Sequence, residues 1–183
     1  MKFVVYSAAQ PIPESTAAQL LSLMHEAFPP SERRSDEEFL RLFHHPNVQI
    51  LCSQEQERLN GFLLFWVLDG FVFAENFAVR PTSRGLGLGT EMLRALRGRF
   101  GLPVILEVEP PEDELTRRRV AFYERNGYHL NDCEYYLPCL SDEIQRSVQL
   151  NIMSAPEPLS EQACREAIEV LYHTVYEGKP IRK

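Results

Sequence analysis

The amino-acid sequence predicts a mixed α/β protein, and three observations support this prediction. Apolar runs of strand length and segments of helical periodicity follow one another along the chain. The pair Asp69-Gly70 separates two apolar runs, which predicts a hairpin. A glycine-rich turn joins the second of these runs to a helix, and a strand, a helix and further strands follow.

Strands are predicted where short apolar runs end at turn residues. They are expected at residues 3–6, 48–52, 61–68, 71–79, 104–109, 128–137 and 147–153. The chain has 183 residues, enough for one domain with a sizeable core. We therefore expect a single domain over residues 1–183, with its core at 1–154 and a linker and helix at 155–183.

Helices are predicted from apolar periodicity and from residues that favour helix ends. Ser15, Ser35 and Ser160 are candidate N-caps, and Ser35 with Glu38 has the spacing of a capping box. Asn126-Gly127 has the composition of a helix C-terminus. The helices are expected at residues 15–28, shortly after 35, at 88–100, at 115–125 and at 160–176.

Composition restricts the class of partner. The net charge is −7, from 19 basic and 26 acidic side chains, which opposes a nucleic-acid backbone and attracts small cations. No apolar run has the length of a signal peptide core or a membrane span, so a cytoplasmic protein that binds no membrane is expected. The four cysteines form no C-x-x-C pair, which predicts reduced thiols, no disulfide framework and no metal site.

The segment from Val79 to Thr90, VRPTSRGLGLGT, is the most informative of the chain. It leaves a strand and enters a helix, whose first amides have no backbone partner and lie at the positive end of the helix dipole. Its glycines leave space for an anion to approach these amides, which predicts a phosphate or pyrophosphate site. A dinucleotide-binding turn would place Thr90 at its last glycine, and a P-loop requires a lysine that this segment does not contain. A tight turn without a ligand is the remaining alternative.

Together with the segment that follows it, this loop resembles the pyrophosphate loop of the GCN5-related N-acetyltransferase (GNAT) family. The family pattern, Arg/Gln-x-x-Gly-x-Gly/Ala, is matched by Arg84, Gly87 and Gly89, and Gly85 is also typical. A second family block, a helix that ends in an aromatic residue and Tyr and is followed by Gly and an aromatic residue, is matched by residues 122–128, FYERNGY. The resemblance is strongest over residues 71–128.

The resemblance implies the GNAT-like acyl-CoA N-acyltransferase fold, a central and mostly antiparallel sheet flanked by helices, here with an extra C-terminal helix. It also implies an acetyl-CoA-dependent N-acetyltransferase with acetyl-CoA as cosubstrate and without a metal. One departure is Thr116, because the family often has Asn at this position. The residues expected to bind the cofactor are Phe77, Ala78, Val79, Arg84, Gly85, Leu86, Gly87, Leu88, Gly89, Thr90 and Tyr123.

The expected chemistry is the direct transfer of an acetyl group to a primary amine in a ternary complex. An alkyl amine has a pKa of about 10.4, so a carboxylate is needed to bind the cation and accept its proton. Glu75 and Glu107 are the candidates, since each lies within a predicted strand and each matches an acid that family members often carry. The alternative is that Glu107 and its neighbour Glu109 lie at a solvated strand end and have no catalytic role.

Tyr123 is the candidate general acid for the departing thiolate. A thiol has a pKa of about 8.5 and a phenol one of about 10, so this proton transfer is only mildly uphill. The backbone N–H of Val79 is expected, by family analogy, to stabilise the oxyanion. The alternative for Tyr123 is a tyrosine that only anchors the core.

The sequence does not name the acceptor, which we expect to be small and cationic. Two alternatives stay open: a non-catalytic acyl-CoA-binding sensor or interaction module, and an enzyme with another acyl group or with a protein terminus as acceptor. The Arg117–Arg119 run is expected to be a solvated helix face rather than a site for the 3′-phosphate of CoA. The chain is expected to be a monomer or a homodimer.

Overall fold

The computed structural model describes residues 2–141 and 143–183. The chain divides into two compact units, an N-terminal unit that ends at Leu102 and a C-terminal unit over Pro103–Lys183. Each unit contains antiparallel strand pairs together with helices, which confirms the predicted fold class. The prediction of a single domain over the whole chain stays a prediction.

The N-terminal unit contains an antiparallel meander of four strands. Its strands are β1 (Lys2–Ser7), β2 (Val48–Glu55), β3 (Arg58–Val67) and β4 (Val72–Val79), and each pairs with the next. The turn between β3 and β4 has Gly70 at φ 88°, a left-handed conformation that glycine adopts without strain. The hairpin predicted from Asp69-Gly70 is therefore confirmed.

Three helices belong to the same unit: α1 (Glu14–Ala27), α2 (Asp36–Leu42) and α3 (Leu88–Phe100). The capping box of α2 is confirmed, because the Ser35 side chain accepts from the Glu38 amide and the Glu38 side chain accepts from the Ser35 amide. The predicted cap of α1 is wrong. Pro13 occupies the N-cap, without a side-chain hydrogen bond, and Ser15 lies inside the first turn. The fixed φ of proline suits the start of a helix.

Strand β3 is the centre of this unit. Residues 59–66 are buried without interruption, so both faces of the strand are covered. Helix α1 contacts β3 and β4, and helix α3 contacts β2, β3 and β4. The buried side chains of α3 include Met92, Leu93 and Leu96. These contacts fix the end of β4 and the start of α3, the two elements that flank the glycine loop.

The C-terminal unit is built around one long strand. Its elements are β5 (Val104–Val108), α4 (Glu114–Arg125), β6 (His129–Leu130), β7 (Tyr135–Leu137), β8 (Val148–Ala155), α5 (Glu161–Val170) and a π-helical turn (Leu171–Val175). Strand β8 pairs antiparallel with β5, β6 and β7. Ser160 caps α5 as predicted, since its side chain accepts from the Ala163 amide.

The strand predicted at residues 128–137 is divided into β6 and β7. Asn131 follows β6, and its buried side chain donates to the Ile152 carbonyl and the Ser154 hydroxyl and accepts from the Leu159 amide. The Asn131 amide also donates to the Ile152 carbonyl at 2.9 Å, so the side chain adds bonds to β8 and to the segment after it at the point where β6 ends. The apolar pattern of the segment does not reveal this, because the partners are more than 20 residues away.

A disulfide joins Cys133, between β6 and β7, to Cys164 on α5. The expectation that the cysteines are reduced and unpaired is therefore wrong for these two residues. Their separation of 31 residues in the sequence matches no local motif, and the fold alone brings them together. The other two, Cys52 and Cys139, are free and buried, and burial raises the pKa of the Cys52 thiol to about 12.

Candidate active site

The glycine loop connects β4 to α3 in the N-terminal unit. A short 3-10 turn over Pro81–Ser83 follows β4, and α3 begins directly after Gly87. Gly85 and Gly87 have φ values of 76° and 78°, which other residues rarely adopt. A Cβ atom added at either glycine would have no atom within 4 Å, so the loop surface is open at both positions.

The backbone amides of residues 85–90 point to the function of this loop. Within the described residues, the Arg84 amide bonds to the Pro81 carbonyl and the first bond of α3 runs from the Glu91 amide to the Gly87 carbonyl. No backbone bond uses the amides between these two, and no side chain caps α3, again within the described part of the chain. A row of amides at a helix N-terminus is a site for an anion.

Arg84 holds the loop against the strand that precedes it. Its Nε donates to the Val79 carbonyl at 3.0 Å, and its side chain is exposed. The sequence suggested Arg84 as a direct ligand of a phosphate. In the structure part of its guanidinium bonds to the chain, so only its remaining N–H groups are available for an anion.

Glu75 on β4 lies in a buried polar cluster of the N-terminal unit. Its Oε1 accepts from Arg34 Nε at 2.7 Å, and the side chains of both residues are 5% exposed. Its Oε2 accepts from the indole N–H of Trp66 at 2.6 Å. The ring of His45 packs on Trp66, with ring centroids 4.6 Å apart. Glu75 thus belongs to a buried ion pair between β4 and the segment before α2.

Glu107 on β5 lies in a different environment in the C-terminal unit. The hydroxyls of Tyr135 and Tyr176, here called the tyrosine pair, both donate to its carboxylate, and the Tyr176 hydroxyl lies 2.9 and 3.0 Å from the two oxygens. Both tyrosines are buried, whereas Glu107 is half-buried. The alternative of a solvated strand end does not describe Glu107.

Tyr123 lies in the last turn of α4 and is buried. Its ring packs edge-on against the rings of Phe122 and Tyr128, at centroid distances of 5.4 and 5.8 Å. Burial raises the pKa of its phenol to about 12, against a smaller opposing effect of the Arg119 charge. The phenol therefore keeps its proton at neutral pH, and it is a weaker acid than the sequence argument assumed.

Thr116, the departure from the family pattern, has a structural role. It forms a reciprocal capping box with Asp113: its amide donates to the Asp113 carboxylate at 2.8 Å, and the Asp113 amide donates to its hydroxyl at 3.0 Å. The bond from the Thr116 amide, followed by a bond from the Thr116 hydroxyl, lowers the pKa of the Asp113 carboxyl. The hydroxyl of Thr116 is thus used at the start of α4, where Asp113 is a cap that the sequence argument missed.

Three arginines of α4 contact groups on α4 and on the segment that precedes it. Arg117 donates to the Glu112 carbonyl at 2.7 Å, Arg118 lies 3.7 Å from Glu114, and Arg119 pairs with Glu109. These contacts agree with a solvated helix face, as expected.

Within residues 2–141 and 143–183, no group of three or more His, Cys, Asp or Glu side chains could hold a metal ion. In the same residues, no helix is long and apolar enough to cross a membrane.

The predicted site residues are divided between the units. The glycine loop, residues 77–79 and Glu75 belong to the N-terminal unit, and Glu107 and Tyr123 belong to the C-terminal unit. No pattern in the sequence singles out Arg34, Trp66, Tyr135 or Tyr176 as partners of the two acids. An acid within an apolar strand implies a partner, but it does not identify one.

Known proteins resemble this chain over the region that contains the glycine loop, both acids and Tyr123. A family model described as "Acetyltransferase (GNAT) domain" matches residues 46–130. The chain is 28% identical over 128 residues to the Bacillus subtilis (strain 168) protein named "Putative acetyltransferase YjbC". This match covers 68% of the chain and 66% of that protein, slightly less than two thirds of its length.

Solved structures extend the likeness over nearly the whole chain. A Bacteroides thetaiotaomicron protein named "Putative acetyltransferase from GNAT family" superposes with a TM-score of 0.82 and 28% identity, over 96% of this chain and 98% of that one. An aminoglycoside 6'-N-acetyltransferase complexed with coenzyme A superposes with a TM-score of 0.62 and 14% identity, over 88% and 100% of the two chains. At this lower identity the second likeness concerns the fold alone.

Proposed function

We propose that the chain is a member of the GNAT family of acetyltransferases and an enzyme that transfers the acetyl group of acetyl-CoA to a primary amine. The transfer is direct, in a ternary complex, and the acceptor is small and cationic. The observation that carries the proposal is the row of backbone amides over residues 85–90. This segment includes the two left-handed glycines and the first residues of α3.

In this proposal the glycine loop binds the pyrophosphate of acetyl-CoA. The amides of residues 85–90 donate to its oxygens, and the positive end of the α3 dipole adds attraction for its charge. Arg84 holds the loop closed onto β4 through the Val79 carbonyl. The backbone of residues 77–79 contacts the pantetheine arm, and the Val79 N–H stabilises the negative charge that develops on the thioester oxygen.

Glu107 is the better of the two acids for the acceptor amine. It is half-buried, and the hydroxyls of two neutral phenols donate to its carboxylate. The side chain of Glu75 is 5% exposed, and its charge is already paired with Arg34. We therefore propose that Glu107 binds the amine and accepts its proton, directly or through water, and that the buried pair with Arg34 gives Glu75 a structural role.

Tyr123 donates a hydrogen bond to the departing thiolate. Its pKa of about 12 lies well above the value of about 8.5 for a thiol, so complete proton transfer ahead of bond cleavage is unfavourable. A hydrogen bond that strengthens as charge develops on sulfur does not require complete transfer. Its benefit is greatest where water is excluded, and the burial of Tyr123 provides such a position.

The test is CoA release with acetyl-CoA and a panel of primary amines: diamines, amino sugars, a lysine peptide and a peptide with a free α-amine. Tyr123→Phe and Glu107→Gln are each expected to lower turnover by about 10²–10⁴-fold. Matched controls are Tyr6→Phe on β1 and Glu161→Gln, an exposed residue at the start of α5, both expected to retain activity.

Undiminished turnover in both active-site variants would remove the assigned roles. Tight CoA binding by calorimetry without transfer to any amine would contradict the enzyme and favour a sensor of acyl-CoA. Parallel assays with propionyl-CoA and longer thioesters test the acyl group, and a higher turnover with one of these would replace acetyl in the proposal.

A further inference from the structure

The tyrosine pair connects the C-terminal segment of the chain to Glu107. Tyr135 lies on β7, and Tyr176 directly follows the π-helical turn that extends α5. Tyr176 is 69 residues away from Glu107 in the sequence, and Tyr135 is 28 residues away. The family match ends at residue 130, so both hydroxyl donors lie beyond the matched region.

The π-helical turn sets the direction of Tyr176. The Tyr176 amide donates to the Leu171 carbonyl at 2.9 Å, five residues earlier, where an α-helix would use the fourth. The additional residue in the turn changes the helical phase, so that Tyr176 and Leu171 are both buried, at 1% and 0% exposure. Such turns are rare and occur frequently at functional sites.

Both phenols of the tyrosine pair are suited to donate to an anion. Burial, followed by the nearby Glu107 charge, raises the pKa of Tyr135 well above its usual range, so its hydroxyl keeps its proton. The ring of Tyr135 also stacks on the ring of Tyr172, with centroids 5.5 Å apart and planes 14° apart. The stacked ring holds Tyr135, the donor on β7, in place. Tyr176, near the C-terminal end of the unit, supplies the second donor.

We propose that Tyr176 is a positioning residue of the acceptor site, which fixes the orientation of the Glu107 carboxylate. Its hydroxyl lies near both carboxylate oxygens and thereby restricts rotation of a side chain that would otherwise sample several rotamers. A carboxylate held in one orientation suits the binding of an ammonium group, the role that the proposed function gives to Glu107. The C-terminal segment is thus a functional part of the acceptor site, and this inference rests on the proposed function.

The test is a double-mutant cycle of Tyr176→Phe and Glu107→Gln. Tyr176→Phe keeps the ring and removes the hydroxyl, and it is expected to lower kcat/KM for the amine by about ten- to a hundredfold, because it removes a hydrogen bond to a charged group. The KM for acetyl-CoA should stay unchanged. In the Glu107→Gln background, Tyr176→Phe should produce little further loss, because the residue acts through Glu107.

Tyr172→Phe is the matched control. It removes a hydroxyl from the same turn, one that donates to the Tyr136 carbonyl at 3.0 Å rather than to Glu107. If Tyr176 only stabilised the segment, both variants would lower kcat/KM in proportion to their loss of unfolding free energy, with equal losses in both Glu107 backgrounds. That result would overturn the proposal.

Failure of the function and failure of the inference give different results. If the wild type acetylates no amine, the proposed function fails and the inference with it. If the wild type is active and Tyr176→Phe lowers kcat/KM for the amine less than about threefold, the inference alone fails. The same cycle measured by denaturant unfolding requires no substrate, and additive losses there would contradict the contact itself.

Discussion

At the scale of single residues, Glu75 and Glu107 have the same chemistry and different partners. A buried guanidinium balances the charge of Glu75, so loss of Arg34 would leave an uncompensated charge in the core. The hydroxyls of two neutral phenols donate to the carboxylate of Glu107. These partners, and not the residue type or the strand position, are the reason that we propose Glu107 rather than Glu75 for the acceptor amine.

The glycine loop gives a prediction at the same scale. Gly87→Ala forces a side chain onto a residue at φ 78°, which is expected to cost about 1–2 kcal/mol and to turn the following amides away from a common direction. CoA binding should weaken about tenfold or more, which corresponds to about 1.4 kcal/mol in isothermal titration calorimetry.

Gly70→Ala is the control for backbone strain. Gly70 has φ 88° in the β3–β4 hairpin, and a Cβ atom there also meets nothing within 4 Å. This variant should lose a similar amount of unfolding free energy and bind CoA as the wild type does. Equal weakening of CoA binding in the two variants would mean that the loop has no special role.

At the scale of elements, the start of α3 depends on how closely that helix packs against the hairpin of β3 and β4. Gly61 on β3 pairs with Val79, the last residue of β4. A Cβ atom at Gly61 would lie 2.9 Å from the Ala78 carbonyl oxygen and 3.3 Å from Met92 Sδ on α3. The missing side chain at this position allows the close approach of strand and helix.

Gly61→Ala is therefore expected to lower the free energy of unfolding by about 1–3 kcal/mol, because the added methyl overlaps a backbone atom that cannot move alone. Gly98→Ala on α3 is the matched control: its Cβ would meet nothing within 4 Å, and it should raise stability by about 0.5–1 kcal/mol. Denaturant unfolding at constant m-value measures both. A stable Gly61→Ala variant would mean that this packing is looser than the structure indicates.

At the scale of the whole molecule, the C-terminal unit combines local elements with contacts between distant residues. Its strands β5, β6 and β7 all pair with β8, although β8 follows them in the sequence. The disulfide and the tyrosine pair add links from α5 and its π-helical turn to the β6–β7 region and to β5. The C-terminal helix, expected as an addition to the minimal fold, is thus joined to the unit by covalent and polar contacts.

The disulfide gives a prediction for this unit. Closure of a loop of 31 residues is expected to contribute about 3–4 kcal/mol to the free energy of unfolding, mainly by restricting the unfolded chain. Reductant should therefore lower the stability of the wild type and leave that of a Cys133→Ser, Cys164→Ser double variant unchanged. Alkylation of the unfolded, unreduced protein should modify only Cys52 and Cys139, and four modified cysteines would contradict the disulfide.

Much of the fold was predictable because its cause is local. The hairpin at Gly70, the capping box of Ser35, the bounds of α3 and the Ser160 cap each depend on residues within one turn of the chain, and all are confirmed. The resemblance to acetyltransferases, noted from the glycine loop and residues 122–128, agrees with the family model over residues 46–130 and with relatives named as putative acetyltransferases. The errors arise where a residue bonds to a distant part of the chain. The strand predicted over residues 128–137 is divided at Asn131, whose side chain bonds to the Ile152 carbonyl.

By itself, the sequence determined the glycine loop and the helix that follows it, since glycine geometry and helix ends depend on neighbouring residues. Only the tertiary structure decided the partners of the two acids and the pairing of the cysteines. Arg34 and Glu75 are 41 residues apart, and Tyr176 and Glu107 are 69 apart. Contacts of this kind form when elements pack, and no periodicity or spacing in the chain records which side chains then meet.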